Sequence, residues 1–354
     1  MKNKVLDLFC GCGGISLGFK LAGYDISGGI DIDPDSIKTF NKNFPKSKAI
    51  CESLLEYNDN RILDDFGDKK IDVIVGGPPC QGFSSANRWQ KENEDPRNKL
   101  FFEYLRFVEL LNPKAVVIEN VRGILTRDKG FAKDRIEKLL KNLGYNVDCK
   151  VLNASDYGVP QNRLRAFFVA IRNDHKETFD FDQLSKKSMV TVKEAIGELY
   201  DLDKNPKIKL TTKPNNKYLK YLRKENQEIF NHEIKYPAEL TQERISHVPQ
   251  GGNWANIPPE LFPNNRSNRH SSAFKRLDEK ACSVTIDTGN AHSNYFHPTY
   301  NRIPTVREAA RLQSFKDDFI LEGSRTSQYR QIGNAVPPLL AKEVADKLLK
   351  YLKE

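Results

Sequence analysis

The chain has 354 residues, 38% of them apolar, a formal net charge of +9 and a pI near 9.0, enough for a large core and at least two domains. No apolar run approaches the roughly eighteen residues of a membrane span. MKNKVLDLFCGCGG lacks the apolar core and cleavage site of a secretory signal, so a cytoplasmic protein is expected.

From the N-terminus, VLDLF (5–9) reads as a strand, followed by glycines and a helix from about Ile15. DISGGID (25–31) precedes the helical PDSIKTFNKNF, and IDVIVGG (71–77) is a third strand. NKLFFEYLRFVELL (98–111) is a helix and AVVIENV (115–121) a strand. A helix near 132–143 leads to the strands YNVDCKVLN (145–153) and RAFFVAIRN (165–173). Short apolar, β-branched runs alternating with amphipathic helices predict an α/β fold, a mainly parallel sheet covered on both faces. Ligands of such sheets bind beyond the carboxyl ends of the strands.

After His175 the texture changes to Lys, Asn, Pro and Ser, with weak apolar periodicity, which predicts a smaller loop-rich domain over 175–300. From Arg302 helical texture returns in TVREAARLQSF, and PPLLAKEVADKLLKYL closes the chain as an amphipathic helix. Residues 301–354 are therefore read as a segment that packs back on a first domain of residues 1–174. Charge is uneven: Lys204 to Lys224 holds eight basic residues and no acid. That run is either a solvated face or a surface for a polyanion. The six cysteines, Cys10, Cys12, Cys51, Cys80, Cys149 and Cys282, match neither a zinc spacing nor the framework of a small secreted domain. No metal is expected, and most of them read as reduced core thiols.

Two stretches point to chemistry. In DLFCGCGGISLGF the glycines stand between the first strand and the first helix, where backbone approaches a ligand. The stretch has neither the lysine of a phosphate loop nor a clean G-x-G-x-x-G. Asp31, twenty residues after Gly11, is suited to accept from both ribose hydroxyls. Together they suggest an adenosine-containing cofactor, against the plainer reading of a packing turn and a surface carboxylate. In IDVIVGGPPCQGFS, two prolines fix the backbone before Cys80 and keep it out of a regular helix or sheet interior. A stiff loop at the ligand edge suits a nucleophile better than inert packing. Glu119, closing AVVIENV, should lie at the same edge.

With these residues in view, the sequence closely resembles the DNA cytosine-5 methyltransferases over nearly its whole length. The motifs occur in the family's order: DLFCGCGG, GGPPCQGFS, ENV (119–121), QNRLR (161–165), REAARLQSF (307–315) and GNAVP (333–337). The resemblance implies a Rossmann-like S-adenosylmethionine-dependent methyltransferase domain with a target-recognition domain, of bacterial restriction-modification type. Cys80 matches the thiolate that adds to carbon 6 of cytosine. Glu119 matches the group that holds the ring nitrogen and amine, and Arg163 and Arg165 match arginines that contact the flipped base, Glu119 and the DNA backbone.

The implied donor is S-adenosyl-L-methionine. By the same matching, Phe9, Gly11, Cys12 and Gly14 line its methionine and adenosine, Asp31 takes the ribose and Ile32 meets the adenine face. Glu52 and Ser53 stand where the family has an aspartate and an apolar residue, so the resemblance implies that the Glu52 carboxylate meets the adenine amine, while Ser53 departs from the pattern. Pro79, Leu100, Asn334, Ala335 and Val336 complete the pocket. Gln81 and Ser84 fall where the displaced strand would be contacted, and Trp89 in the polar loop 84–99 is either a clasp or an inserted residue. Arg266, Arg269 and Lys275 are possible readers of bases or phosphates in duplex DNA. Thr285 matches a threonine that places the flipped nucleotide, and Cys282 reads as packed.

The implied partners are duplex DNA, no membrane and a cognate restriction endonuclease encoded separately, with the chain acting as a monomer. Two other readings keep the fold: methylation of transfer RNA, and a non-catalytic DNA-binding relative. The size of 175–300 argues against the first, and the intact Cys80, Glu119 and Arg165 against the second. A nicotinamide-dependent dehydrogenase is disfavoured by GCGG in place of G-x-G-x-x-G.

Overall fold

The computed structural model describes residues 2–79, 98–175, 177–200, 202, 208–262, 273–288 and 295–352. Its chain forms two compact units, Met1–Asn153 with Leu164–Lys186 and Val336–Glu354, and Ala154–Arg163 with Lys187–Ala335.

The first unit is built on seven strands: β1 (Lys4–Leu8), β2 (Asp25–Asp31), β3 (Ala49–Cys51), β4 (Val73–Gly76), β5 (Ala115–Val121), β6 (Tyr145–Asn153) and β7 (Leu164–Arg172). They lie in the order β3-β2-β1-β4-β5-β7-β6. The first five run parallel, and β7 is antiparallel to both β5 and β6. Val5, Leu6, Leu8, Val73 to Val75 and Ala115 to Ile118 are fully buried, as expected of strands covered on both faces. The covering helices are α1 (Gly14–Leu21), α2 (Pro34–Asn43), α3 (Asp59–Phe66), α4 (Lys99–Leu111) and α5 (Phe131–Asn142). Asp33 caps α2 by accepting from Asp35 and Ser36, with Pro34 in its first turn. The chain winds outward from β1 to β3 and then crosses to β4, so the order reverses between β1 and β4. A crevice at such a reversal receives ligands.

The second unit is poor in regular structure. It holds α6 (Val192–Ile196), α7 (Lys217–Leu222), α8 (Glu239–Ser246), α9 (Val306–Leu312), α10 (Arg325–Asn334) and the short strands β8 (Ile208–Leu210), β9 (Gln227–Ile229), β10 (Lys275–Arg276) and β11 (Tyr295–Phe296). Many of its carbonyls lack ladder partners, and buried arginines supply donors instead. Arg307 donates to the carbonyls of Phe230 and Lys316 at 2.9 and 2.8 Å. Arg276 donates to those of Ile245, Val248 and Pro298. Paired acids neutralise others: Arg302 forks onto Glu308 at 2.7 and 2.9 Å, and Arg311 onto Asp317 at 2.9 and 2.6 Å. Thr305 and Glu308 also form the capping box of α9.

The unit boundaries differ from those drawn at 174 and 300. Residues up to Lys186 stay with the first unit, where Phe179 packs on Phe181 and Tyr351. Asn162 N–H donates to the Ser283 carbonyl and Ser283 N–H to that of Pro160, which ties 154–163 into the second unit. From the C-terminal segment, only the residues from Val336 onward, which include α11 (Pro338–Leu348), return to the first unit. There α11 packs so closely on α1 that a Cβ at Gly18 would lie 2.5 Å from the Ala341 Cβ and 2.7 Å from the Pro338 carbonyl oxygen. Gly18→Ala should therefore cost about 1–3 kcal/mol through overpacking, read as a lowered denaturant midpoint.

Two histidines in the second unit are buried without charge. His232 Nδ1 pairs with Thr305 Oγ1 at 2.9 Å, and His297 Nδ1 accepts from the Thr299 and Tyr300 N–H groups. Burial pushes both down to about 4, against the pull of Glu308. The unfolded chain titrates its histidines near 6.5 and so binds more protons than the folded chain as pH falls from about 6.5 towards 4. Stability should be complete above that window and lost within it. Thermal melts between pH 7.5 and 4.5 should show the loss, with a shallower slope in His232→Asn. Glu308, held at about 2, loses its contribution only at lower pH.

Candidate active site

Three residues between β1 and α1 adopt left-handed backbone: Phe9 (φ 61°), Gly11 (φ 52°) and Gly13 (φ 94°). A Cβ at Gly13 would meet the Phe44 ring at 2.6 Å, so this glycine serves both the turn and close packing. Asp31, at the end of β2, fixes the turn from the side. Its Oδ2 accepts from Gly11 N–H at 2.8 Å and its Oδ1 from Asp33 N–H at 2.9 Å. A carboxylate oxygen has two acceptor sites, so both retain capacity for a ligand's hydroxyls. Burial raises the Asp31 pKa, partly offset by these backbone donors.

Ile32, the next residue, is 72% exposed, an apolar surface beside a carboxylate. Glu52 follows β3, donates its N–H to the Asp31 carbonyl at 2.9 Å, and forks its carboxylate onto Arg61 at 2.7 and 2.5 Å. Ser53 Oγ accepts from Leu55 N–H and caps a short turn. Its hydroxyl thus has a local use at a position where an apolar residue was expected. Phe9 and Leu100 are half-buried against the main core, and Pro79 is half-buried at the same strand ends. Cys10 and Cys12 are buried, and burial pushes the Cys12 thiol up to about 12 and that of Cys10 well above its ordinary value. Neither is a nucleophile at neutral pH.

A second cluster forms where β4 and β5 end and the antiparallel β7 begins. Antiparallel pairing sets Val121 opposite Arg165 and Glu119 opposite Phe167. This brings Arg165 Nε to 2.9 Å from Glu119 Oε1. Burial lowers the Arg165 pKa, and Glu119 opposes that shift. A Cβ at Gly77 would lie 3.2 Å from Glu119 Oε2. Asn120 Nδ2 donates to the Pro78 carbonyl at 3.0 Å, anchoring the chain two residues before Cys80. Cys80, Gln81, Ser84, Trp89, Arg266 and Arg269 lie outside the described residues.

Arg163 stands apart from Arg165. Its side chain is 1% exposed and donates to the carbonyls of Ile286 and Gly333 at 3.0 and 2.7 Å, all within the second unit. Beside it Gln161 accepts from Ile286 N–H at 2.9 Å and donates to Gln313, whose amide donates to the Ala335 carbonyl at 2.6 Å. A Cβ at Gly333 would fall 2.5 Å from the Asp287 backbone. QNRLR, REAARLQSF and GNAVP are thus joined by side chains whose roles the motifs alone did not reveal. Thr285 is exposed and donates to the Asn162 carbonyl, and Lys275 donates to that of Gly251. Asn334 is exposed and Ala335 half-buried in the second unit, and Val336 is buried in the first. Cys282 is packed, its thiol reaching the Val190 carbonyl.

Residues 3–350 match the family of C-5 cytosine-specific DNA methylases. Type II methyltransferase M1.HphI of Haemophilus parahaemolyticus is 38% identical over 351 residues, 99% of this chain and 87% of that protein. Type II methyltransferase M.DdeI of Desulfomicrobium norvegicum is 36% identical over 377 residues, 99% and 89% of the two chains. A crystal structure of an E. coli protein encoded within a prophage and described as a DNA modification methyltransferase superposes with a TM-score of 0.80 at 30% identity, covering both chains fully.

The two arginines should separate by measurement. Arg163→Met leaves two buried carbonyls without donors and should cost about 2–4 kcal/mol in urea unfolding. Arg165→Met leaves the Glu119 carboxylate, whose side chain is only 12% exposed, without its cation, so its cost, unlike that of Arg163→Met, should shrink as pH falls and the acid becomes protonated.

Proposed function

The chain belongs to the C-5 cytosine-specific DNA methylase family and is a DNA (cytosine-5-)-methyltransferase, and we propose that it methylates a cytosine turned out of duplex DNA through a covalent adduct on Cys80. The observation that carries this reading is the Glu119–Arg165 pair beside a Pro78 carbonyl anchored by Asn120, two residues before Cys80.

The proposed methyl donor is S-adenosyl-L-methionine. The first unit's residues suit it: Asp31 has acceptor capacity for two ribose hydroxyls, and exposed Ile32 offers an apolar face for a purine. Glu52 lies where an exocyclic amine would be read, and the Phe9, Gly11, Cys12 and Gly14 turn, with Pro79 and Leu100, lines the remainder. When bound, the donor supplies a methyl group on a sulfonium, transferable to a carbon nucleophile.

The protein's task is to make carbon 5 of cytosine that nucleophile. The Cys80 thiolate adds to carbon 6, a carbon–sulfur bond forms and the ring's electrons move toward carbon 5. Glu119 holds the ring nitrogen and amine and supports the proton gained there, while Arg165 orients the Glu119 carboxylate. After carbon 5 is methylated, its proton is lost to a base, the carbon–sulfur bond breaks and the thiolate returns. The base must leave the stack first, at a cost of about a few kcal/mol. Gln81 and Ser84 are proposed to contact the displaced strand. Thr285, Lys275, Arg266 and Arg269 belong to the proposed target reader, with the basic run 204–224 supplying phosphate contacts. The type II relatives support a further reading, that methylation protects cellular DNA from a separately encoded restriction endonuclease. No helix among the described residues is long and apolar enough to cross a membrane.

Wild type and Cys80→Ala should be incubated with S-adenosylmethionine and unmethylated genomic DNA, then 5-methylcytosine mapped by bisulfite sequencing. Methylation confined to one short motif and lost in Cys80→Ala is expected. Transfer by Cys80→Ala at the wild-type rate would overturn the covalent mechanism.

A further inference from the structure

Arg61 has no part in any motif of the chain, yet its guanidinium is held on several sides at the edge where the cofactor is proposed to bind. It lies in the first turn of α3, where Asn58 caps the helix by accepting Arg61 N–H at 2.9 Å. Its guanidinium lies 4.2 Å from the centre of the Tyr57 ring, and its Nε is 3.7 Å from Asp65. From that seat Nη1 and Nη2 each meet one oxygen of Glu52, at 2.7 and 2.5 Å. Glu52 is tied at its other end, because its N–H donates to the carbonyl of Asp31.

A guanidinium fork fixes the plane of a carboxylate as well as its position. Each oxygen spends one acceptor site on Arg61 and keeps another. Paired in this way the carboxylate has no proton to donate, so the edge it presents is acceptor-only. Such an edge suits a ligand that presents an amino group and opposes one that presents a carbonyl oxygen in the same place. A lysine would hold Glu52 at a single point and leave its plane free.

We propose that Arg61 is a specificity-determining positioning residue, which holds Glu52 as a fixed, acceptor-only reader of the 6-amino group of the cofactor's purine. This rests on the assignment of an S-adenosyl cofactor to the first unit. Its consequence is selectivity between 6-amino and 6-oxo purines, a property that general damage to the fold does not alter selectively.

The test is calorimetric binding of S-adenosylhomocysteine and S-inosylhomocysteine at pH 7.5 to wild type, Arg61→Met, Arg61→Lys and Glu52→Gln, each first checked by thermal melting. Wild type should prefer the adenosyl compound by about tenfold or more, equivalent to about 1.4 kcal/mol. Arg61→Met should lose most of that ratio, chiefly through weaker adenosyl binding, and Arg61→Lys should fall between. Glu52→Gln, whose amide can also donate, should narrow the ratio as far as Arg61→Met does. An unchanged ratio in Arg61→Met would overturn the proposal while leaving the cofactor assignment intact. Failure of wild type to bind either compound would overturn the cofactor assignment, and this proposal with it.

Discussion

The first unit depends on the contact between β1 and β4 at residue 76. A Cβ there would lie 2.1 Å from the carbonyl oxygen of Leu8 and 3.0 Å from the Tyr104 ring, so only a residue without a side chain lets the two strands pair at that level. These are the strands between which the sheet order reverses. Their two continuations are the Phe9–Gly14 turn and the Gly77–Pro79 approach to Cys80. The proposed cofactor turn and the approach to Cys80 therefore leave adjacent strand ends because one side chain is missing.

Around that seam the polar groups work in short chains. Asp31 holds the turn through Gly11 and receives Glu52 through its backbone carbonyl, and Glu52 is held by Arg61. On the other side Asn120 holds Pro78 while Glu119, its neighbour, is held by Arg165. In each chain an acid proposed to meet a ligand is steadied by an arginine, and the backbone beside it is steadied by a hydrogen bond. Preorganisation of this kind keeps reacting groups near their working geometry before the substrate arrives.

Much of this was legible in the sequence, for identifiable reasons. The runs Val73–Val75 and Ala115–Ile118 are apolar throughout because they are buried on both faces, a signal that survives without knowledge of neighbours. The three-residue edge strand β3 and polar α3, which buries only Ile62 and Phe66, carry no comparable pattern, and Arg61 was missed with them. The motif QNRLR suggested one role for both Arg163 and Arg165. Arg165 lies in β7, where pairing with β5 fixes its direction. Arg163 precedes the strand, and the backbone carbonyls of Ile286 and Gly333, more than a hundred residues away in sequence, decide where it points. No local period records that.

The second unit shows how side chains hold a loop-rich region together. Its arginines at 276, 302, 307 and 311 are buried or nearly so, a composition that reads as solvent-exposed in a linear sequence. Buried guanidinium groups are costly to desolvate unless hydrogen bonds or paired charges compensate them. Glu308 matches Arg302, and Glu198 and Asp317 match Arg311, whereas Arg276 and Arg307 rest on backbone carbonyls. Carbonyls from segments far apart in sequence provide the remaining acceptors. Such a framework fixes the points where loops enter and leave without prescribing the path between them, and extra loop length adds only slowly to the entropy of closure. The reading of DNA proposed for this unit needs that separation. The proposed contacts with bases could then change while the arginine-to-carbonyl bonds continue to hold the unit together.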